Sequence, residues 1–175
     1  MPTVVEAFRA RAEEARSVVH ELSGWEDVVV LALVLADADG RIALSPSLAR
    51  AEPALRARLG ARAVLPDDDA PARSVADAAV GLVRGELAVA ETGSVLLVEP
   101  ELADRCVSML SRTLIQVVAL ERLVESLDAV ASALAAAGPP AYASLTTGPS
   151  RTADIERSLT IGVQGPGEVH VVLLG

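Results

Sequence analysis

Between Val4 and Leu22 the apolar residues Val4, Val5, Phe8, Ala12, Ala15, Val18, Val19 and Leu22 recur at helical spacing with charges between them, and Gly24 follows as a stop. The pattern predicts an amphipathic helix over about residues 3–23. The next run, Val28 to Leu35, is β-branched and leucine-rich, and Asp39-Gly40 leads from it into Arg41 to Leu44. A hairpin with a buried first strand is expected there, with a helix as the alternative for the first run. Ser47 to Leu59 reads as a helix interrupted at Pro53 and closed by Gly60, and Ala63 to Leu65 as a short strand. Ser74, with Asp77 three residues on, predicts the N-cap of a helix through Arg84, ended by Gly85.

Farther along, Leu87 to Ala90 and Ser94 to Val98 read as strands around an ETGS turn, and Cys106 to Leu110 and Leu114 to Val118 as two more. Glu121 to Ala137 predicts a long alanine-rich helix, apolar on most sides, stopped by Gly138-Pro139-Pro140. A short strand, Tyr142 to Leu145, precedes a loop punctuated by Gly and Pro. The closing run, Val169 to Leu174, is almost wholly apolar, as in a central strand covered on both faces. Strands and helices thus alternate, the pattern of a layered α/β fold with a mainly parallel or mixed sheet. With 175 residues, 51% of them hydrophobic, one substantial core is expected, and one domain over residues 1–175.

Charge and absences narrow the chemistry. A net charge of -9 and a pI near 4.7 argue against unspecific nucleic-acid binding, which needs a basic surface, although a local arginine cluster could still hold a small anion. The sequence contains no lysine and no asparagine, so a lysine Schiff base and a Walker-type phosphate lysine are both excluded. Cys106 is the only cysteine, which leaves no disulfide and no thiolate set for an iron-sulfur cluster or structural zinc. The acidic run Pro66 to Ala72, PDDDAPA, is expected to be a solvated loop and not a metal site, because consecutive side chains of an extended loop diverge. The opening residues lack the layout of a secretory signal, and Val28 to Ala36 is far short of the roughly 20 apolar residues of a membrane helix. A cytoplasmic protein without membrane insertion is expected.

Two loops carry the candidate chemistry, both after strands, where ligands of open α/β sheets usually sit. In TGPSRTADIE, Thr147 to Glu156, two hydroxyls and an arginine open what reads as a helix whose free N–H groups would favour an anion. Gly148 permits close backbone approach, Ser150 or Thr152 can cap, and Arg151 can pair bidentately with a carboxylate or phosphate. Asp154 is either compensation for the helix dipole or a general base. In the ETGS turn, Glu91 could be a buried acid with a raised pKa, with Thr92 beside it and the Gly93 and Ser94 amides donating to an oxyanion. The alternative is a plain hairpin in which Gly93 supplies a positive φ and Glu91 is solvated. Gly165-Pro166-Gly167 is a turn that sets the last strand's register, and His170 within that strand is either a sheet histidine or a proton carrier.

Taken together, Ala90 to Gly93, Gly148 to Glu156 and Gly162 to Val171 resemble the AETG, GPSRTADIE and GVxGPxxxHV segments of the lactate-utilisation (LUD) domain family. The resemblance covers about Asp77 to the end. It implies a three-layer Rossmann-like sandwich similar to the coenzyme A transferases and ribose-phosphate isomerases. It also implies a role in oxidising L-lactate to pyruvate with iron-sulfur and cysteine-rich partner subunits, this chain being the small subunit type without clusters. Glu91, Asp154 and His170 would then be the candidates for proton transfer. Thr92, Gly93, Ser94, Gly148, Ser150, Arg151 and Thr152 would bind a small carboxylate or phosphate, and Gly162, Gln164, Gly165 and Pro166 would position the loop. Gln164 stands where the family usually has histidine, and an amide does not titrate. The same loops leave room for a stand-alone isomerase, acyl transferase or hydrolase on a small anionic metabolite, or for a non-catalytic anion-binding module.

Overall fold

The computed structural model describes residues 2–138, 140–153, 159–161 and 165–175, with only the backbone described for 151–153 and 159–161. Helix α1, Val4–Glu14, opens with a capping box: Thr3 Oγ1 accepts the Glu6 N–H at 3.2 Å, and the Glu6 carboxylate accepts the Thr3 N–H at 2.7 Å. It ends eight or nine residues earlier than the periodicity predicts. Arg16 takes a left-handed φ of 71°, and Ser17–Leu22 is strand β1, in which Val19 is buried and Val18 exposed. The apolar spacing of this segment fits both structures, and pairing with the last strand decides it.

Helix α2, Trp25–Leu35, replaces the expected buried strand, so the alternative reading of that run is the right one. Val28, Val29 and Ala32 are buried at helical spacing, while Val30 and Val34 remain exposed. Strand β2 is Ile42–Leu44. Helices α3, Pro46–Ala51, and α4, Ala54–Leu59, are separated at Pro53 as expected, and β3 is Ala63–Val64. The helix expected from Ser74 to Arg84 is instead a short helix, α5, Pro71–Val75, and a strand, β4, Val80–Arg84. Ser74 does not cap; its hydroxyl accepts the Asp67 N–H and donates to Pro71 O. Strands β5, Leu87–Val89, and β6, Ser94–Val98, form the predicted hairpin.

Cys106 to Leu110 is not a strand but the end of helix α6, Leu102–Leu110, whose Asp104, Cys106, Val107 and Ser108 are buried together. Five residues are too few to separate the two periodicities. Strand β7 is Thr113–Ala119. The long helix expected from Glu121 begins later, because Leu123–Val124 is strand β8, paired parallel to β5, and α7 spans Leu127–Ala137. Strand β9 is Ala143–Thr146, β10 is Arg151–Ala153, β11 is Leu159–Ile161 and β12 is Glu168–Leu174.

Six strands form a fully parallel sheet in the order β1-β12-β7-β4-β2-β3. Four more form a second sheet, β8-β5-β6-β9. Alternation along β12 feeds two cores: Val169, Val171 and Leu173 face Phe8, Val107 and Leu97, while Val172 faces the layer of Val28, Leu48 and Leu55. Helices α2, α3 and α4 therefore cover one face of the parallel sheet. Helices α1, α5 and α6 and the second sheet cover the other, and α7 packs through Val130 on the far side of that second sheet. This is a layered α/β architecture of the Rossmann-like kind expected. Among the described residues no helix is long and apolar enough to cross a membrane.

Candidate functional site

The second sheet brings the candidate loops together. In the β5–β6 turn Gly93 adopts φ 67° and its N–H donates to Val89 O at 2.8 Å, so that amide is spent within the hairpin. The antiparallel register of β6 and β9 pairs Val95 with Thr146, which sets Ser94 opposite Thr147. Their hydroxyl oxygens lie 2.5 Å apart, joining the ETGS turn to the start of TGPS. From the parallel sheet, Gln116 Nε2 donates to Thr146 Oγ1 at 2.6 Å, and that hydroxyl donates to Val95 O at 3.2 Å. The third motif closes on the second: the Ser150 N–H donates to Pro166 O at 2.9 Å, and a Cβ on Gly165 would stand 3.0 Å from Ser150 Cβ.

Between these loops lies a cavity of about 320 Å³. Ser108, Ser144, Thr146, Thr147 and Ser150 line it with Gln116 and Tyr142; Leu97, Met109, Leu114 and Val169 are its apolar lining residues. None of these described residues carries a fixed charge. The cavity follows the carboxyl end of β9, as expected, yet it flanks the amino ends of the parallel strands β7 and β12, since Leu114 and Val169 are their second residues. The rule for open parallel sheets therefore does not locate it.

Several expected features take a different form. Among the described residues no helix starts after Ser150; Arg151–Ala153 is strand β10, paired antiparallel with β11, where the sequence predicts the start of a helix. The side chains of Arg151 and Thr152 lie outside what is described, as do Asp154, Gly162 and Gln164 altogether. The close approach that Gly148 permits is to α1: with φ 70°, its Cβ would meet Ala15 O at 2.1 Å. Gly93 is likewise pressed onto the backbone of Arg11 and Ala12. Glu91 is exposed and Gly93 has a positive φ, so the plain-hairpin reading of this turn holds and the buried-acid reading does not; Glu91 Oε2 accepts the Leu127 N–H at 3.0 Å at the head of α7. It borders a separate groove with Thr3, Val4, Ala7 and Arg11, away from the cavity. Thr92 Oγ1 is buried beside it without a hydrogen-bond partner.

His170 points to the other face of β12 from Val169, and its Nδ1 lies 2.9 Å from Nε2 of His20. The ring planes differ by 15°, and the 5.2 Å between centroids exceeds the nitrogen separation by little more than two ring radii, so the imidazoles meet edge to edge through one N–H···N bond. Burial depresses both pKa values; Arg9 adds to this for His20, and His20 adds to it for His170 against the opposing pull of Glu168. Cys106 is buried in α6 and burial pushes its thiol pKa up, which suits a packing role. Among the described residues no group of three His, Cys, Asp or Glu side chains is arranged to hold a metal ion.

Reading the sequence misses Glu99, Ser108, Gln116 and Tyr142. Glu99 is 3% exposed and its Oε2 accepts from Ser108 Oγ at 3.0 Å. Burial raises its pKa, Ser108 opposes that, Asp104 adds to the rise and Arg105 opposes it. A carboxylate directly after the apolar strand Ser94–Val98 is the one signal that could have drawn attention to it.

The profile of the LUD domain family matches residues 4–174. Lactate utilization protein C of Bacillus subtilis (strain 168) is 33% identical over 100 residues, a stretch that covers 54% of this chain and 42% of that protein. Lactate utilization protein C of Macrococcus caseolyticus (strain JCSC5402) is 35% identical over 92 residues, 50% of this chain and 40% of the relative. The matched stretch thus spans less than half the length of these curated relatives. The crystal structure of a DUF162 family protein from Deinococcus radiodurans superposes with a TM-score of 0.65 at 20% identity, covering 98% of this chain and 96% of that one, which shows a shared fold.

Proposed function

The chain belongs to the LUD domain family, and from that premise we propose that it is an accessory subunit of L-lactate utilisation, acting beside iron-sulfur and cysteine-rich partners. The clusters are assigned to those partners because a lone cysteine cannot hold one. One observation carries the reading: two segments distant in sequence, Thr147 to Ser150 and Gly165-Pro166, line one cavity and are joined by the Ser150–Pro166 hydrogen bond, while Ser94 holds the first of them through Thr147. A small carboxylate is the ligand proposed. Its hydroxyl and carboxyl oxygens suit a wall of hydroxyl groups, and its methyl suits the Leu114 and Val169 side. Arg151, next in sequence to Ser150, is proposed as the cation that completes the pocket.

The test is lactate-dependent dye reduction in extracts of cells with this gene intact, deleted, and restored as the wild type or as Arg151→Ala. The expected result is loss on deletion, rescue by the wild type and no rescue by the variant. Activity unchanged by the deletion would refute a role in lactate oxidation and favour a stand-alone enzyme on another small anion.

A further inference from the structure

Behind the cavity wall, in contact with its lining residue Ser108, stands an acid that the loops do not account for. Glu99 follows β6, is 3% exposed, and its Oε1 has no hydrogen-bond partner. The cation next to it is used elsewhere: Arg105 donates to the main-chain oxygens of Glu99 at 2.8 Å and Pro100 at 3.0 Å, and lies over the Tyr142 ring. Asp104 on α6 is fully buried; its Oδ1 takes the Ser47 N–H at 2.9 Å and its Oδ2 is unpartnered. At the surface, Arg50 and Glu101 are occupied with each other at 2.7 Å. An ionised Glu99 would therefore be a buried charge with no cation on its carboxylate and a second carboxyl close by.

Counting hydrogens leads to the same state. Ser108 Oγ has one hydrogen but two acceptors in reach, Glu99 Oε2 at 3.0 Å and Arg105 O at 3.2 Å. With Glu99 ionised, Ser108 must share its one hydrogen between the two acceptors; each contact has a hydrogen of its own only when the Glu99 carboxyl carries a proton and donates it to Ser108 Oγ while Ser108 donates to Arg105 O. Ser108 itself lines the cavity.

We propose that Glu99 is held as a neutral carboxylic acid and positions the Ser108 hydroxyl to donate to the carboxylate of a small monoanion in the cavity. This rests on the cavity being the ligand site named above. On binding, the Ser108 hydrogen turns from Arg105 O to the ligand, the Glu99 proton remains on Glu99, and no bond is made or broken. Ionising Glu99 would draw the Ser108 hydrogen away from the ligand and set a negative charge behind it. Affinity for a carboxylate should therefore fall as pH rises through the Glu99 titration.

Two measurements on the full chain test this. The first needs no ligand: the side-chain carboxyl ¹³C resonance of Glu99, assigned by its absence in Glu99→Gln, is followed with pH. A midpoint well above the ordinary glutamate value of about 4.3 is expected, and a midpoint at that value overturns the proposal. The second is calorimetric titration with L-lactate, pyruvate and acetate at several pH values. Wild-type affinity should weaken about tenfold per pH unit above the midpoint, while Glu99→Gln, whose amide still donates to Ser108, stays level. Identical pH profiles in the two proteins would overturn the role of Glu99 and leave the site standing. Failure of all three probes to bind either protein at any pH would remove the site, and this role with it.

Discussion

Gly93 and Gly148 adopt left-handed backbone and press against α1, and replacing each with alanine separates the cost of conformation from the cost of contact. At Gly148, φ is 70° and the new Cβ would stand 2.1 Å from Ala15 O; at Gly93, φ is 67° and it would stand 2.3 Å from Ala12 N and 2.5 Å from the Arg11 carbonyl carbon. Gly60, with φ 62° and nothing within 4 Å of its notional Cβ, is the internal control. Left-handed backbone costs an L-residue about 1–2 kcal/mol, and the extended positive-φ conformation of Gly60, with ψ −138°, about 1–3 kcal/mol. Alanine recovers about 0.4–1 kcal/mol by restricting the unfolded chain, so Gly60→Ala should lose about 1–2 kcal/mol. At the other two sites the obstacle is main chain, which no rotamer change can clear. Displacing the end of α1 adds about 1–3 kcal/mol, the usual penalty for overpacking, for a total of about 2–4 kcal/mol. Urea denaturation of the three variants measures the difference directly. If Gly148→Ala and Gly60→Ala agree within about 0.5 kcal/mol, α1 does not brace these loops and the reasoning fails.

Three other predictions follow from the site. Both histidines of the His20–His170 pair have folded pKa values depressed below the unfolded value of about 6.5, so the stability they contribute is present above that pH and lost as pH falls through the folded values. Wild-type unfolding free energy should drop on acidification below about pH 6.5, and the drop should shrink in His20→Gln; an equal drop in the variant would contradict the pairing. Glu91→Ala removes the acceptor for the Leu127 N–H at the head of α7 and should cost about 1 kcal/mol in thermal or urea unfolding, with no loss predicted if the carboxylate were idle. Ser94→Ala strips the buried link to Thr147 and should cost about 1–2 kcal/mol, while amide exchange rises in β9; unchanged exchange there would show that the hydroxyl pair does not tie the two loops.

Strands β6, β7 and β12 were legible because each is a largely apolar run, broken only by Gln116 in β7 and His170 in β12, and both neighbours in the sheet reward that pattern. Residues 17–22 and 28–35 were misread because β-branched residues at mixed spacing satisfy either periodicity, and the decision lies in tertiary partners: β12 for the first, and the layer containing Leu48 and Leu55 for the second. The Val80–Arg84 strand was hidden by a serine that resembles a cap but hydrogen-bonds within its own turn. At the site, the loops were legible because Gly, Pro and hydroxyl residues cluster there. The cavity's back wall was not. Ser108 and Gln116 come from a helix and a strand of the other sheet, Glu99 stands behind Ser108 at a strand end, and only the packing of two sheets on one helix brings them together. Conversely, Glu91 reads as an acid at a ligand loop because nothing in the sequence shows that α7 starts within reach of it.

The parallel pairing of β1 with β12 places residues 17–22 against residues 168–174, with β12 lying between β1 and β7. During translation, β1 leaves the ribosome about 150 residues before β12, its neighbour in that sheet, an interval of roughly ten to thirty seconds at ordinary elongation rates. Throughout it His20 has no imidazole to meet, and β7, once it is made, keeps its edge toward β12 open. The order of synthesis thus opposes the order of assembly. Completion waits on a contact of long sequence separation, the kind that folds late, and the surfaces a nascent-chain chaperone would have to shield are Val18, Val19 and the vacant edge of β7.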